Sequence, residues 1–192
     1  MKVLFGLASH YDGRVAHYNT DVSGWRTDKI VDRGIAYVPQ IDNVFPSLSV
    51  RENLQMGGIK LRTKELNTGI DRACGMFPDL ELRMNDLAAS LSGGERQMLA
   101  ISRALISNPT FLMLDEPTAA LSPRYQQEII ANIDELRSNG ISVLLVEQNA
   151  RLSLARSDRG YIFSSGKVVY TDSADRIVND PDIGDYFLGL KQ

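Results

Sequence analysis

Thr110-Phe111-Leu112-Met113-Leu114-Asp115-Glu116 is a compact apolar run that ends in two acids, and its surroundings decide the fold. The run is too short for a helix and reads as a buried strand. Downstream, Ser122-Pro123 supplies a helix N-cap and a first-turn proline. Ile129, Ile130, Ile133 and Leu136 then mark one face at helical spacing, and Gly140 stops the helix. Ile141 to Val146 is a second buried strand. Strand, helix and strand in this order predict a right-handed parallel crossover, so the centre of the chain is α/β with a parallel central sheet. Upstream, Gly93-Gly94 opens a helical pattern from Glu95 to Ile106 that Pro109 ends. Ile35-Ala36-Tyr37-Val38, closed by Pro39, is a further short buried strand.

Farther out, Ser49-Val50-Arg51-Glu52 has the form of a capping box and predicts a helix through Met56, ended by Gly57 and Gly58. Charged, periodic sequence from Arg62 to Leu87 predicts one or two surface helices interrupted near Pro78. Tyr161 to Phe163 and Lys167 to Tyr170, joined by Ser164-Ser165-Gly166, predict a hairpin, and a small helix is expected near the C-terminus. Met1 to Leu7 reads as the tail of a helix, and Gly13 to Gly34 as short extended pieces and turns.

A chain of 192 residues, 43% hydrophobic and 23% charged, suits one globular domain. Its net charge of -3 gives no basic stripe, which argues against a nucleic-acid partner. Apolar runs such as Ile141 to Val146 fall far short of the roughly 20 residues that span a bilayer, so a membrane role has to come through a partner. The start, MKVLFGLASHYDGRV, lacks a convincing signal-cleavage region. The single cysteine, Cys74, has no disulfide partner or metal-ligand cluster around it and reads as a small helix residue. His10 and His17 read as solvated or packing histidines.

The chemistry gathers around the opening strand. Asp115 and Glu116 stand where a central parallel strand ends, the side on which open α/β sheets bind ligands. One acid there can hold Mg2+ and the next can orient or deprotonate a water attacking a terminal phosphate. Alone, the pair equally fits solvated acids in a strand-to-loop turn. Leu91-Ser92-Gly93-Gly94-Glu95-Arg96-Gln97 adds a serine and two glycines just before a helix, exposing backbone N–H groups at the positive end of its dipole. That pattern favours phosphate.

LSGGERQ resembles the signature motif of ATP-binding cassette (ABC) ATPases. FLMLDEPTAALSP resembles that family's Walker B and D-loop, YVPQ its Q-loop, and VLLVEQN occupies its switch position. The resemblance implies a P-loop NTPase-type ABC ATPase domain over residues 1–192 with a helical subdomain at approximately 48–106. It implies ATP and Mg2+ as ligands, with Asp115 and Gln40 at the metal, Glu116 as catalytic base and Gln148 as the switch. Gln40, Ser92, Gly93, Gly94, Glu95 and Ser122 would contact nucleotide, the signature residues reaching the nucleotide of a second ATPase subunit in a head-to-tail dimer. Permease subunits and, indirectly, a substrate-binding protein would complete the assembly at the cytoplasmic face of the membrane.

The switch position, usually His in this family, is Gln148, and the D-loop acid is replaced by Ser122. Glutamine can bond a phosphate oxygen or a water but cannot become a cation near neutral pH, so a pH-insensitive switch is expected. VEQNA, DRGY, Gly166-Lys167-Val168-Val169, Asp180-Pro181 and Tyr186-Phe187-Leu188-Gly189 are similar to an ATPase subunit of branched-chain amino acid importers. That likeness implies an importer of hydrophobic amino acids or related amides. A chromosome-maintenance or DNA-repair ATPase head shares the Leu-Ser-Gly-Gly and Asp-Glu chemistry but requires coiled-coil heptads between Gln40 and Leu91, which are absent.

No Gly-x-x-x-x-Gly-Lys-Ser/Thr occurs in the 192 residues. Aligned on the family, Met1 to Leu7 corresponds to the later part of the helix after that loop, so Lys2 is not the phosphate-binding lysine. The expectation is an N-terminally truncated cassette, lacking its first strands, that neither binds ATP appreciably nor hydrolyses it alone. Losing two or three charge-assisted bonds to phosphate removes roughly 5 kcal/mol, about a 4,000-fold loss of affinity. The alternative is a non-catalytic fragment whose signature motif completes a partner's nucleotide site.

Overall fold

The structure, a computed structural model, describes residues 1–184 and consists of two compact units, Met1–Val146 and Glu147 onward. In the first unit, Met1 to Leu7 forms turns that close with Gly6 N–H donating to Val3 O at 3.1 Å and Leu7 N–H to Lys2 O at 2.9 Å. With Gly6 at φ 71° this is the bonding of a helix C-terminus, although no regular helix is formed. β1 (Ala16–His17) and β2 (Thr20–Asp21) pair antiparallel.

A short helix, α1 (Thr27–Val31), was not expected from the sequence. Its N-cap is Arg26, whose side chain makes no capping bond, so local signals are missing. Tertiary contacts hold it instead. Thr27 Oγ1 donates to Phe5 O at 3.0 Å, and Ile30 is buried with Phe5, Ile35 and Met113.

β3 (Ile35–Val38) leads to α2 (Val50–Gly57), α3 (Thr63–Met76), α4 (Pro78–Glu81), a 3-10 turn at Ala88–Ser90 and α5 (Gly93–Leu105). The Ser49 box forms as expected: Ser49 Oγ accepts from Glu52 N–H at 3.2 Å, while Ser49 N–H donates to Glu52 Oε2 at 2.7 Å. Pro78 breaks the next helical stretch, since it opens α4 at N1 after Phe77 has ended α3. α5 starts two residues earlier than expected because Ser92 is its cap. Val50, Leu54, Phe77, Leu80, Met98, Leu99 and Ile101 fill the space among these helices. Cys74 is buried on α3, as a packing residue would be.

β4 (Phe111–Asp115), α6 (Pro123–Ser138) and β5 (Ser142–Val146) complete the unit. The sheet runs β3-β4-β5, all parallel, with Val38 opposite Leu114 and Asp115 opposite Val146. Ile129, Ile130, Ile133 and Leu136 are all buried, as their spacing required. β5 is less buried than predicted, with Val146 40% exposed. It is an edge, and among the described residues its ladder partner is β4 alone.

In the second unit, α7 (Ala150–Leu154) precedes β6 (Arg159–Ser164), β7 (Lys167–Ser173) and α8 (Ala174–Asn179). The predicted hairpin is present and longer than its apolar core. Ser165 at φ 49° and Gly166 at φ 78° make its two-residue turn, between the paired Ser164 and Lys167. The motif Tyr186-Phe187-Leu188-Gly189 lies outside the described residues. Among the described residues, no helix is long and apolar enough to cross a membrane.

Candidate functional site

β4 delivers Asp115 and Glu116 to the C-terminal edge of the sheet. Leu112, Met113 and Leu114 are buried, so the strand is anchored, and the acids emerge where the apolar pattern stops. Tyr37, on neighbouring β3, donates its hydroxyl to Asp115 Oδ2 at 2.8 Å. Burial, and after it the Asp115 carboxylate accepting its proton, pushes the Tyr37 phenol up to about 12. Tyr37 is therefore a donor throughout the ordinary pH range and fixes one oxygen of Asp115. Glu116 sits at φ 48°, a conformation rarely adopted by non-glycine residues and often found where function constrains the backbone. Its N–H donates to Val146 O at 2.8 Å, which holds that turn in place.

Gln40 meets Glu116 from the adjacent strand end. Its Nε2 donates to Glu116 Oε2 at 2.7 Å, bringing together two residues 76 positions apart. Gln40 lies just past β3, and Val38 is paired with Leu114, so the parallel register is what places the two side by side. Farther along the same loop, Asn43 Nδ2 donates to Gln97 Oε1 at 2.6 Å. Fully buried Asn53 grips the loop's far end: its Oδ1 accepts from Phe45 N–H at 2.8 Å, and its Nδ2 donates to Phe45 O and Ser49 O, each at 2.9 Å.

The Ser92 turn is built locally. Ser92 N–H donates to Glu95 Oε2 at 2.7 Å and Glu95 N–H to Ser92 Oγ at 3.3 Å, a closed capping box. Arg83 donates to Glu95 Oε1 at 2.7 Å and to Asp86 at 2.8 Å, so both Glu95 oxygens have partners. Burial raises the Glu95 carboxyl, but the Ser92 N–H and the Arg83 guanidinium outweigh it and hold the group below its ordinary value. In this arrangement Glu95 shapes the turn, and Ser92 and Gly93 are the exposed residues an anion would meet. The two glycines differ. A Cβ on Gly94 would lie 2.6 Å from Tyr125 ring carbons, whereas one on Gly93 meets nothing nearer than Leu121 at 3.7 Å. Gly94 is thus required by packing, whereas among the described residues nothing crowds a side chain at Gly93.

Ser122 occupies the N-cap of α6 as expected, yet its side chain makes no capping bond. Its exposed hydroxyl stands after the Asp115–Leu121 turn. Gln148 is exposed and belongs to the second unit, two residues beyond β5.

Among the described residues, no group of three or more His, Cys, Asp or Glu could hold a metal alone. Asp115 and the Gln40 carbonyl oxygen are hard donors that fit Mg2+, an ion usually held by one or two carboxylates, water and substrate phosphates. Tyr37, Asn43, Asn53, Arg83 and Tyr125 were not expected to serve the site. No local pattern marks them, because each acts through a partner distant in sequence or on another element.

The family described as ABC transporter matches residues 1–119. The chain is 37% identical over 189 residues to the high-affinity branched-chain amino acid transport ATP-binding protein BraG of Pseudomonas aeruginosa, covering 98% of this chain and 81% of the relative. It is 38% identical over 191 residues to the probable branched-chain amino acid transport protein LivF of Archaeoglobus fulgidus, covering 99% and 81%. A lipopolysaccharide export ATP-binding protein, LptB of Haemophilus influenzae, is 33% identical over 191 residues, covering 97% and 78%. Among solved structures, an ATP-binding cassette of an ABC transporter in its ADP conformation superimposes with TM-score 0.86 at 22% identity, covering 98% of this chain and 81% of that one. A dimeric bacterial cassette gives TM-score 0.79 at 24% identity, covering 90% and 78%.

Proposed function

The chain belongs to the ABC transporter family, and from that premise we propose that it is the ATP-hydrolysing subunit of an importer for branched-chain amino acids or related amides. The observation that carries the ATPase reading is the meeting of Asp115, Glu116 and Gln40 at one sheet edge, with Gln40 bonded to Glu116 at 2.7 Å. In this reading Glu116 takes a proton from the water that attacks the terminal phosphorus of ATP, as the bond to the leaving ADP oxygen breaks. Gln40 orients Glu116 and that water. Asp115, held by Tyr37, contributes with the Gln40 carbonyl to the Mg2+ site, where the ion would neutralise phosphate charge. Gln148 contributes a carboxamide that does not titrate near neutrality, so turnover is flat with pH there as far as this residue is concerned.

The partners in this reading are a second cassette arranged head to tail, permease subunits, and through them a substrate-binding protein, at the cytoplasmic face of the membrane. The solute is supported by the identity to BraG and LivF, against the lower identity to LptB. The test is co-purification with permeases of a branched-chain amino acid importer or of a lipopolysaccharide exporter. Association with the first set only is expected, and association with only the second would overturn the solute and direction.

The 192 residues contain no Gly-x-x-x-x-Gly-Lys-Ser/Thr, so this chain by itself is proposed to bind magnesium-ATP about 4,000-fold more weakly than a cassette holding that loop. Ordinary turnover by the purified chain would refute that. A second reading is favoured by the exposed, locally closed Ser92–Gly93 turn. There the chain is non-catalytic and completes the nucleotide site of an intact cassette. Titrating it into such a cassette separates the readings, since only this one predicts faster turnover by the partner.

A further inference from the structure

We propose that Asn43 and Gln97 are positioning residues that hold Gln40 against Glu116. The loop from Gln40 to Val44 has little else to fix it. Among the described residues, no backbone-to-backbone hydrogen bond ties residues 40–44, and Gln40, Ile41 and Asp42 are exposed. Asp42 sits at φ 53°, so the chain turns sharply between Gln40 and Asn43. The tie of Asn43 Nδ2 to Gln97 Oε1 at 2.6 Å joins this turn to the body of the unit.

α5 holds the loop a second time beyond Asn43. The Arg103 guanidinium stands 4.9 Å from the Phe45 ring centre, and Asn53 fixes the Phe45 backbone. Gln97 and Arg103 are on the helix whose first turn carries Ser92 and Gly93.

Gln97 also carries a buried Nε2 with no hydrogen-bond partner among the described residues. An unpaired buried donor costs free energy, and removing both partners of such a bond can be nearly neutral. Gln97 is accordingly a poor choice for packing alone, and an apolar side chain of similar length would retain the core. Its retention of an acceptor toward Asn43 is what the latch explains.

Only the consequence for ATP turnover rests on the proposed function; the latch concerns this chain alone. The experiment is NMR on the full chain, following the Gln40 side-chain amide. In the native chain its resonance reports the bond to Glu116, and Glu116→Ala defines the displacement that marks the loss of that pairing. Gln97→Met and Asn43→Ala are each expected to lower the ratio of paired to unpaired Gln40 about fivefold, the effect of one neutral hydrogen bond on an equilibrium, and so to shrink that displacement, while the thermal midpoint of Gln97→Met stays near native. An undiminished displacement in a folded variant overturns the latch. Asn43 is partly exposed and Gln97→Met is nearly volume-conserving, so failure of either variant to fold leaves the other to decide. Should the chain fail to stimulate any cassette or transporter, the functional reading falls and this measurement still stands.

Discussion

The Ser92–Glu95 turn and the Gln40–Ser49 loop both carry candidate site residues, and they are held in opposite ways. In the turn, the cap and its reciprocal bond are three residues apart. In the loop, the contacts that matter reach from Gln40 to Glu116 and from Asn43 to Gln97, across 76 and 54 positions. A local box forms wherever its four residues occur, whereas a long-range bond exists only after the sheet and helix have packed. The turn is therefore a preformed element and the loop a dependent one, responsive to movement in whatever holds it.

The largest test breaks the turn where it packs against α6. Gly94→Val drives a side chain into the Tyr125 ring and is expected to cost about 3 kcal/mol in urea unfolding. Gly93→Ala, with open space, is expected to stay within about 0.5 kcal/mol. Equal effects would contradict the division of labour between the glycines.

The loop is tested at its hub. Asn53→Ala removes the partner of the part-buried Phe45 N–H and of the Phe45 and Ser49 carbonyls and is expected to cost about 2 kcal/mol in the same measurement. If it costs nothing, the loop is not held from α2.

A smaller effect sharpens the local half of the comparison. Glu95→Gln weakens the box and its Arg83 pair, with an expected loss of about 1 kcal/mol near neutral pH. The Glu95 carboxyl is held below its ordinary value when folded, so its stabilisation is complete above the unfolded pKa, about 4.3, and is lost as pH falls through the lower folded value. The gap between native and Glu95→Gln stabilities should then close below about pH 4. A gap that persists there would mean that charge is not what holds the turn.

The smallest effect concerns the neighbouring acid. Tyr37→Phe removes one hydroxyl from Asp115, with an expected cost of about 1 kcal/mol or less. In the native chain the Tyr37 phenol should ionise only near pH 12 by ultraviolet titration, and at lower pH in Asp115→Asn.

The sequence by itself determined the elements whose signals are local. Capping residues set α2 and α5, apolar spacing set the buried face of α6, and Asp115-Glu116 after an apolar run marked the strand end that carries the chemistry. It missed α1, which lacks a side-chain cap, and overstated the burial of β5, because a five-residue apolar run reads the same at the centre of a sheet as at its edge. Tertiary structure alone decided that Tyr37 holds Asp115, that Asn43 reaches Gln97, and that Gly94 answers to Tyr125 while Gly93 does not. Those pairings depend on parallel register and on helix against helix, distances that a chain acquires only on folding and that no spacing along the sequence encodes.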